Sequence, residues 1–546
     1  MRFRIALLLL LLLLLSLCDG AQAAEPPRLV VQIVVSSMRA DDLDRYMPNF
    51  GEGGFRRLAD EGVRYTQSRY DCQQTTTPVS LATLSTGAMP STHGVVGTVW
   101  NDYVDNSTVR LLEDKTVRCL DYHHGEGGGW SPCNLVAPTL TETLLDYRPE
   151  SRTATVALDP VSAVVLNGRG GNVFWMDSVG CQWATSSCYA PALPEWVRKR
   201  NREKFALNYR MERWTTLLPQ ERYLNDRYAD ILSPDDIRKL RKTDKQRADR
   251  FQAIPSLIRM RGDYDALRYT PAGNTAVLEF AKAALAQFNM GRDDRTDLLN
   301  ICLDASRTIM ETYGPESVEA EDMYYRLDRD LAEFLRFLFA QVPAERVLVV
   351  LTSDHGTSPS CDLGRQEAGR FNVRQFEVIV NGFLSARYGQ GDWVLRYAGN
   401  SLYLNHNTVY EKGLDLAEIQ NEAAIFAMQF RGVSHALSAT AMRTSYFGSG
   451  YARRMQNGFY PRRSGDVAVN LMPGWIEQRE GIRSASGSMY GYDTRVPLVF
   501  AGNGLAPARI ARDVEMTSLA PTLARLLGIG EPAAAEGTVL EEIVRP

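Results

Sequence analysis

Histidine is scarce in this chain of 546 residues, with six in all: His93, His123, His124, His355, His406 and His435. That limits where zinc could find nitrogen ligands. An excess of one charge is also lacking. Lys plus Arg total 61 against 65 Asp plus Glu, a net charge of −4, which gives no reason to expect a nucleic-acid partner. Beyond the first residues no apolar run is long enough to span a bilayer. No internal repeat and no low-complexity tract appears. What is there, 45% hydrophobic and 23% charged residues with 42 Gly and 25 Pro, is ordinary globular composition. The length allows a large core, in one heavily decorated domain or several smaller ones.

The start of the chain reads as a leader. Arg2 and Arg4 precede an apolar run from Ile5 to Leu15, and Ala21-Gln22-Ala23 forms an A-x-A cleavage site. Residues 1–23 are therefore expected to be a secretory signal peptide, placing the mature protein in the periplasm or outside the cell with no transmembrane segment. Export makes the cysteines candidates for disulfides. Cys18 would leave with the leader. Cys119 with Cys133, and Cys181 with Cys188, are close enough in sequence to staple local loops.

Strand and helix patterns alternate. LVVQIVV (29–35), VLVVL (347–351) and VPLVF (496–500) are apolar, β-branched runs, expected as buried parallel strands. Leu327, Leu331, Phe334, Leu335 and Leu338 recur at helical spacing, and 517–527 reads as another helix stopped by Gly528. These patterns predict an α/β fold. Two stretches break the rhythm: a charged, aromatic segment over 191–270, read as a helical insertion, and a mixed segment over 362–482, read as a cap-like insertion. The core is then assembled from 28–190, 271–361 and 483–546.

Chemistry in such folds sits past the carboxyl ends of the strands. Ser36-Ser37 follows the first strand, and Asp354-His355-Gly356 follows the strand at 347–351. Thr75-Thr76-Thr77-Pro78 opens a helix, and SASGSMYGY (484–492) precedes another strand. An Asp-His pair there is a plausible metal hook, and a hydroxyl at a helix start can attack or bind an anion. Each has a plainer reading, as a strand-ending turn or an N-cap.

The order of LVVQIVVSSMRADDL, GEGGFRRLADEGV, TTTPVSLATLSTG, STHGVVGTVW, YGPESVEAEDMYYRLDRDLA, LTSDHG, YDTRVPLVFAG and APTLARLLGI resembles the secreted bacterial alkaline phosphatases with a threonine nucleophile. These are related to the nucleotide pyrophosphatase/phosphodiesterases. The resemblance runs from about residue 28 to the C-terminus. It implies a three-layer α/β fold with a largely parallel central sheet, helices on both faces and two inserted regions. It also implies two zinc ions on six side chains, a threonine nucleophile and a phosphate clamp.

Matched position by position, most of that machinery is replaced. The Asp after the first strand is Ser36. The Asp and His expected ahead of Gly314-Pro315 are Arg307 and Glu311, and the last ligand His is Ser486. Asp354 and His355 are retained. The clamp Asn is Thr98, and the Lys-Asp-Arg triplet falls on Leu158-Asp159-Pro160. The nucleophile falls on Thr77 counting back from Thr86-Gly87, and on Thr76 counting forward from the Thr-x-Pro pattern. One zinc loses its three side chains, and the other keeps two of the four ligands zinc prefers.

No bound metal is therefore expected, with one zinc ion as the alternative. Arg307 could supply positive charge to an anion, or be neutralised by Glu311 four residues on. The expected function is that of a pseudophosphatase, a binding or scaffold protein with an unidentified protein partner. Two alternatives stand beside it. One is a phosphoric monoester or diester hydrolase with a rearranged or one-metal site. The other is an anion-binding protein.

Overall fold

The computed structural model describes residues 26–121, 129–177, 179–203, 214–225, 264–362 and 368–544. The expected leader at 1–23, His123 and His124, and much of the 191–270 segment lie outside these residues.

Strand β1 (Leu29–Val35) is buried along its whole length because it is covered on both faces. Its side chains alternate between two cores. Leu29, Val31, Ile33 and Val35 face one, with the helices Pro271–Gln287 and Val318–Gln341. Val30 and Val34 face the other, with the helices Thr77–Thr86, Pro160–Asn167 and Leu519–Leu526. The layers are thus helices, sheet and helices.

In chain order the strands of the two larger sheets are β1, β2 (Val63–Arg69), β3 (Cys119–Leu120), β4 (Thr153–Val156), β5 (Asn172–Met176), β6 (Trp183–Ser186), β7 (Asp297–Leu303), β8 (Val347–Thr352), β9 (Val394–Ala398), β10 (Ser401–Leu404), β11 (Val433–Ser438), β12 (Val467–Leu471), β13 (Leu498–Gly502) and β14 (Ala508–Glu515), with three short two-stranded ribbons beside them. Ten of these form the central sheet in the order β14-β2-β13-β8-β1-β7-β4-β5-β6-β3. The adjacent strands β8, β1, β7, β4 and β5 are parallel, so their carboxyl ends open on one edge. Strands β9-β10-β12-β11 make a separate four-stranded sheet with its own apolar core, packed with the helices Val373–Tyr388 and Leu416–Ala427.

Three expectations change. The run at 496–500 becomes β13 two residues later, since Pro497 has no N–H to give to a ladder. It is antiparallel to both β8 and β2. The chain reaches it from the 484–494 segment at the carboxyl edge, so it must run back through the sheet. The expected local disulfides are not formed in the structure: Cys119, Cys133 and Cys188 are thiols, and Cys181 is buried in the core. Closeness in sequence did not bring the sulfurs together, because Cys181 turns into the core with φ 49° while Cys188 lies on the surface.

Candidate functional site

Four neighbouring strands deliver the site from their carboxyl ends: β1 leads into Ser36-Ser37, β8 into Ser353-Asp354-His355, β7 into Asp304 and β4 into Leu158-Asp159. Opposite them the helix Thr77–Thr86 begins, with Thr76 as its N-cap and Pro78 in its first turn.

Asp354 and His355 are fully buried. Asp354 Oδ1 accepts from the backbone N–H of Ser37 (3.1 Å) and of His355 (2.9 Å), and Oδ2 accepts from the Ser36 hydroxyl at 2.8 Å. The hydroxyl standing where a carboxylate ligand was expected is therefore spent on its neighbour. His355 Nδ1 lies 2.7 Å from the Gly356 carbonyl, an oxygen that can only accept, so Nδ1 carries the proton. The Nε2 edge then faces Thr77 Oγ1 at 3.0 Å, Asp354 Oδ2 at 3.2 Å and Ser486 Oγ at 3.4 Å.

The structure separates the two threonines. Thr77 Oγ1 meets His355 and also accepts from Arg307 Nη1 at 3.1 Å, whereas buried Thr76 Oγ1 has no partner. Arg307 completes its grip through Nη2, 3.1 Å from Asp159 Oδ2. The expected helical pair with Glu311 does not form within ion-pair distance. Asp159, held as the N-cap of the helix Pro160–Asn167, takes the guanidinium instead. Burial works against the charge on Arg307, but Asp159, Glu311, Asp304 and Asp354 together push its pKa up. Burial alone would raise Asp159, and Arg307 with Arg268 outweighs it and holds the carboxyl below its ordinary range. Asp304 is raised by burial while accepting from the N–H groups of Leu158 and Asp159 and from Ser162.

These groups border a cavity of about 340 Å³. Thr76, Thr77, Thr98, Arg307, Glu311 and Ser486 line its core side, and Asn400, Trp475 and Arg479 its far wall. Two expected clamp positions fall elsewhere. Leu158 is fully buried in the core, and Pro160 opens its helix away from the cavity, so neither replaces the lost charges.

Sequence reasoning missed Asp159 and Asp304 as partners of Arg307, and Asp493 in the cavity wall. Burial pushes Asp493 up to about 7, against the N–H and hydroxyl of Ser488 that it accepts from. An Asp before Pro at a strand end was the available signal for Asp159. Among the described residues no group of three or more His, Cys, Asp and Glu side chains could hold a metal ion.

Comparison with known proteins agrees with this architecture. Residues 30–476 match the family model "Type I phosphodiesterase / nucleotide pyrophosphatase". The chain is 30% identical to alkaline phosphatase PafA of Elizabethkingia meningoseptica over 539 residues, 96% of each chain. It is 28% identical to alkaline phosphatase PhoV of Synechococcus elongatus over 534 residues, 96% of this chain and 94% of the relative. The crystal structure of wild-type PafA superposes with a TM-score of 0.87 at 28% identity, covering 95% of this chain and 99% of that one.

Proposed function

The chain belongs to the type I phosphodiesterase/nucleotide pyrophosphatase family, and on that premise we propose that it is an exported pseudophosphatase, a scaffold or binding protein in which Arg307 has taken over the charge once supplied by metal. The observation that carries this reading is the guanidinium itself, 3.1 Å from Thr77 Oγ1 and 3.1 Å from Asp159 Oδ2. A fixed cation there pairs with the Asp159 carboxylate but activates neither water nor hydroxyl.

The residues present do not fit two zinc ions. Ser36 already donates to Asp354, Ser486 offers a hydroxyl, and Arg307 carries positive charge at a ligand position. Losing the metals, the clamp and the nucleophile's activation together leaves little phosphatase chemistry, since one such stabiliser alone is worth about 10²–10³ in rate.

The anion-binding reading meets an electrostatic objection. Around Arg307 stand Asp159, Glu311, Asp304 and Asp354, one guanidinium among four carboxyl groups. A phosphate dianion entering it gains no uncompensated cation. A one-metal hydrolase is favoured by a different observation, the convergence of Asp354 Oδ2, His355 Nε2 and Thr77 Oγ1.

Hydrolysis of an aryl phosphate monoester and diester by the full-length protein, with and without added zinc, separates these readings. The expected result is background rate in both conditions. Zinc-dependent turnover abolished by Thr77→Ala would overturn the proposal in favour of the hydrolase.

A further inference from the structure

Seven cysteines follow the leader, and the structure groups them differently from their spacing in sequence. We propose that Cys119 and Cys188 form a disulfide, pinning the outermost strand of the central sheet. Strand β3 runs against β6 with Cys119 opposite Ser186. The ladder continues one step, with Ser187 N–H donating to the Arg118 carbonyl at 2.8 Å and Arg118 N–H to Ser187 Oγ at 3.0 Å. A turn then folds the chain back, the N–H groups of Tyr189 and Ala190 both donating to the Ser186 carbonyl at 3.0 and 3.2 Å. Cys188 leaves the extended path at this turn.

Both thiols then meet one residue. Trp130 lies on the short ribbon formed by Glu113–Asp114 and Gly129–Trp130. Its carbonyl accepts from Cys188 Sγ at 3.8 Å, and its N–H approaches the Cys119 sulfur. The N–H and C=O of one strand residue point to the same side, so the two sulfurs flank a single peptide edge. Cys133, the partner expected for Cys119, instead faces the Glu113 carbonyl at 3.6 Å. Cys181, expected for Cys188, is buried in the core. Cys119 and Cys188 are free thiols in the structure, and oxidation has to close the gap between them. A two-residue strand at the sheet edge is the element best able to give.

The step is a thiol–disulfide exchange. Each thiol gives up its proton, one S–S bond forms, and a disulfide oxidant such as oxidised glutathione takes the two electrons and two protons to leave as two thiols. Export would provide the oxidising setting, so the bond in the cell rests on that reading, but the pairing itself does not.

The test uses the full-length protein prepared reduced, incubated with oxidised glutathione, and mapped by mass spectrometry of unreduced peptides. The expected result is the loss of two thiols and a peptide joining Cys119 to Cys188, retained in Cys133→Ser and lost in Cys119→Ser and in Cys188→Ser. Glutathione adducts without a crosslink, a bridge to Cys133, or no change would overturn the pairing. The wild-type map decides the matter even if a serine variant fails to fold. A crosslink formed in vitro but absent from protein taken from cells would count against export and not against the pair.

Discussion

At the scale of single residues, Arg307 is the pivot. Removing it leaves the partly buried Asp159 with only the Val161 N–H, at 2.9 Å, and the charge of Arg268. Breaking a buried pair from one side costs about 3–5 kcal/mol, and the partial exposure of this one reduces the expected loss for Arg307→Ala to about 1–3 kcal/mol, read from urea denaturation. The pH dependence has a definite sign. Arg307 holds Asp159 below its ordinary value, so this contribution is present above the usual carboxylate range and is lost as pH falls through the folded value. Asp493 and Asp42 run the other way, burial raising them to about 7 and about 6 from 3.8. The folded state holds their protons longer, so they lower stability as pH rises from about 4 to about 7. Urea midpoints measured across pH 4–8 should show a flatter profile for Asp493→Asn than for wild type. An unchanged slope would mean that Asp493 ionises freely.

At the scale of elements, the helix Thr77–Thr86 gives a discriminating pair of substitutions. Thr76 occupies its N-cap without a side-chain cap bond, so Thr76→Ala should cost under about 0.5 kcal/mol. Thr139 caps its own helix in a reciprocal box with Glu142, and Thr139→Ala should cost about 1 kcal/mol in the same thermal melts. Elements whose pattern is local were legible in the sequence. The run at 29–35 became a strand over the same residues because both its faces are covered, and the five apolar positions from Leu327 to Leu338 all face the core of one long helix. What could not be read was set by distant chain. The direction of β13 follows from where the preceding segment leaves the site. The partner of Arg307 was sought four residues away on its own helix, yet it comes from the end of β4, 148 residues distant in sequence. The choice between Thr76 and Thr77 likewise needed the position of His355. The retained Asp354 and His355, and the replaced ligands around them, were visible as motif positions.

At the scale of the whole molecule, the three-layer core is that of an alkaline phosphatase, and no helix among the described residues is long and apolar enough to cross a membrane. Residues of the 362–482 region form one wall of the cavity, so a partner that docks there would also cover the site. Crosslinking through that region should recover it. If Arg307 stands in for metal, rebuilding the ligand set should reverse the exchange. A variant carrying Ser36→Asp, Arg307→Asp, Glu311→His and Ser486→His should gain zinc that wild type lacks, as read by equilibrium dialysis. The most direct measurement is metal per chain, by elemental mass spectrometry, on wild-type protein purified without chelators. The account expects less than one zinc ion per chain. Two would contradict it, because they would require ligands that the residues around Arg307 do not provide.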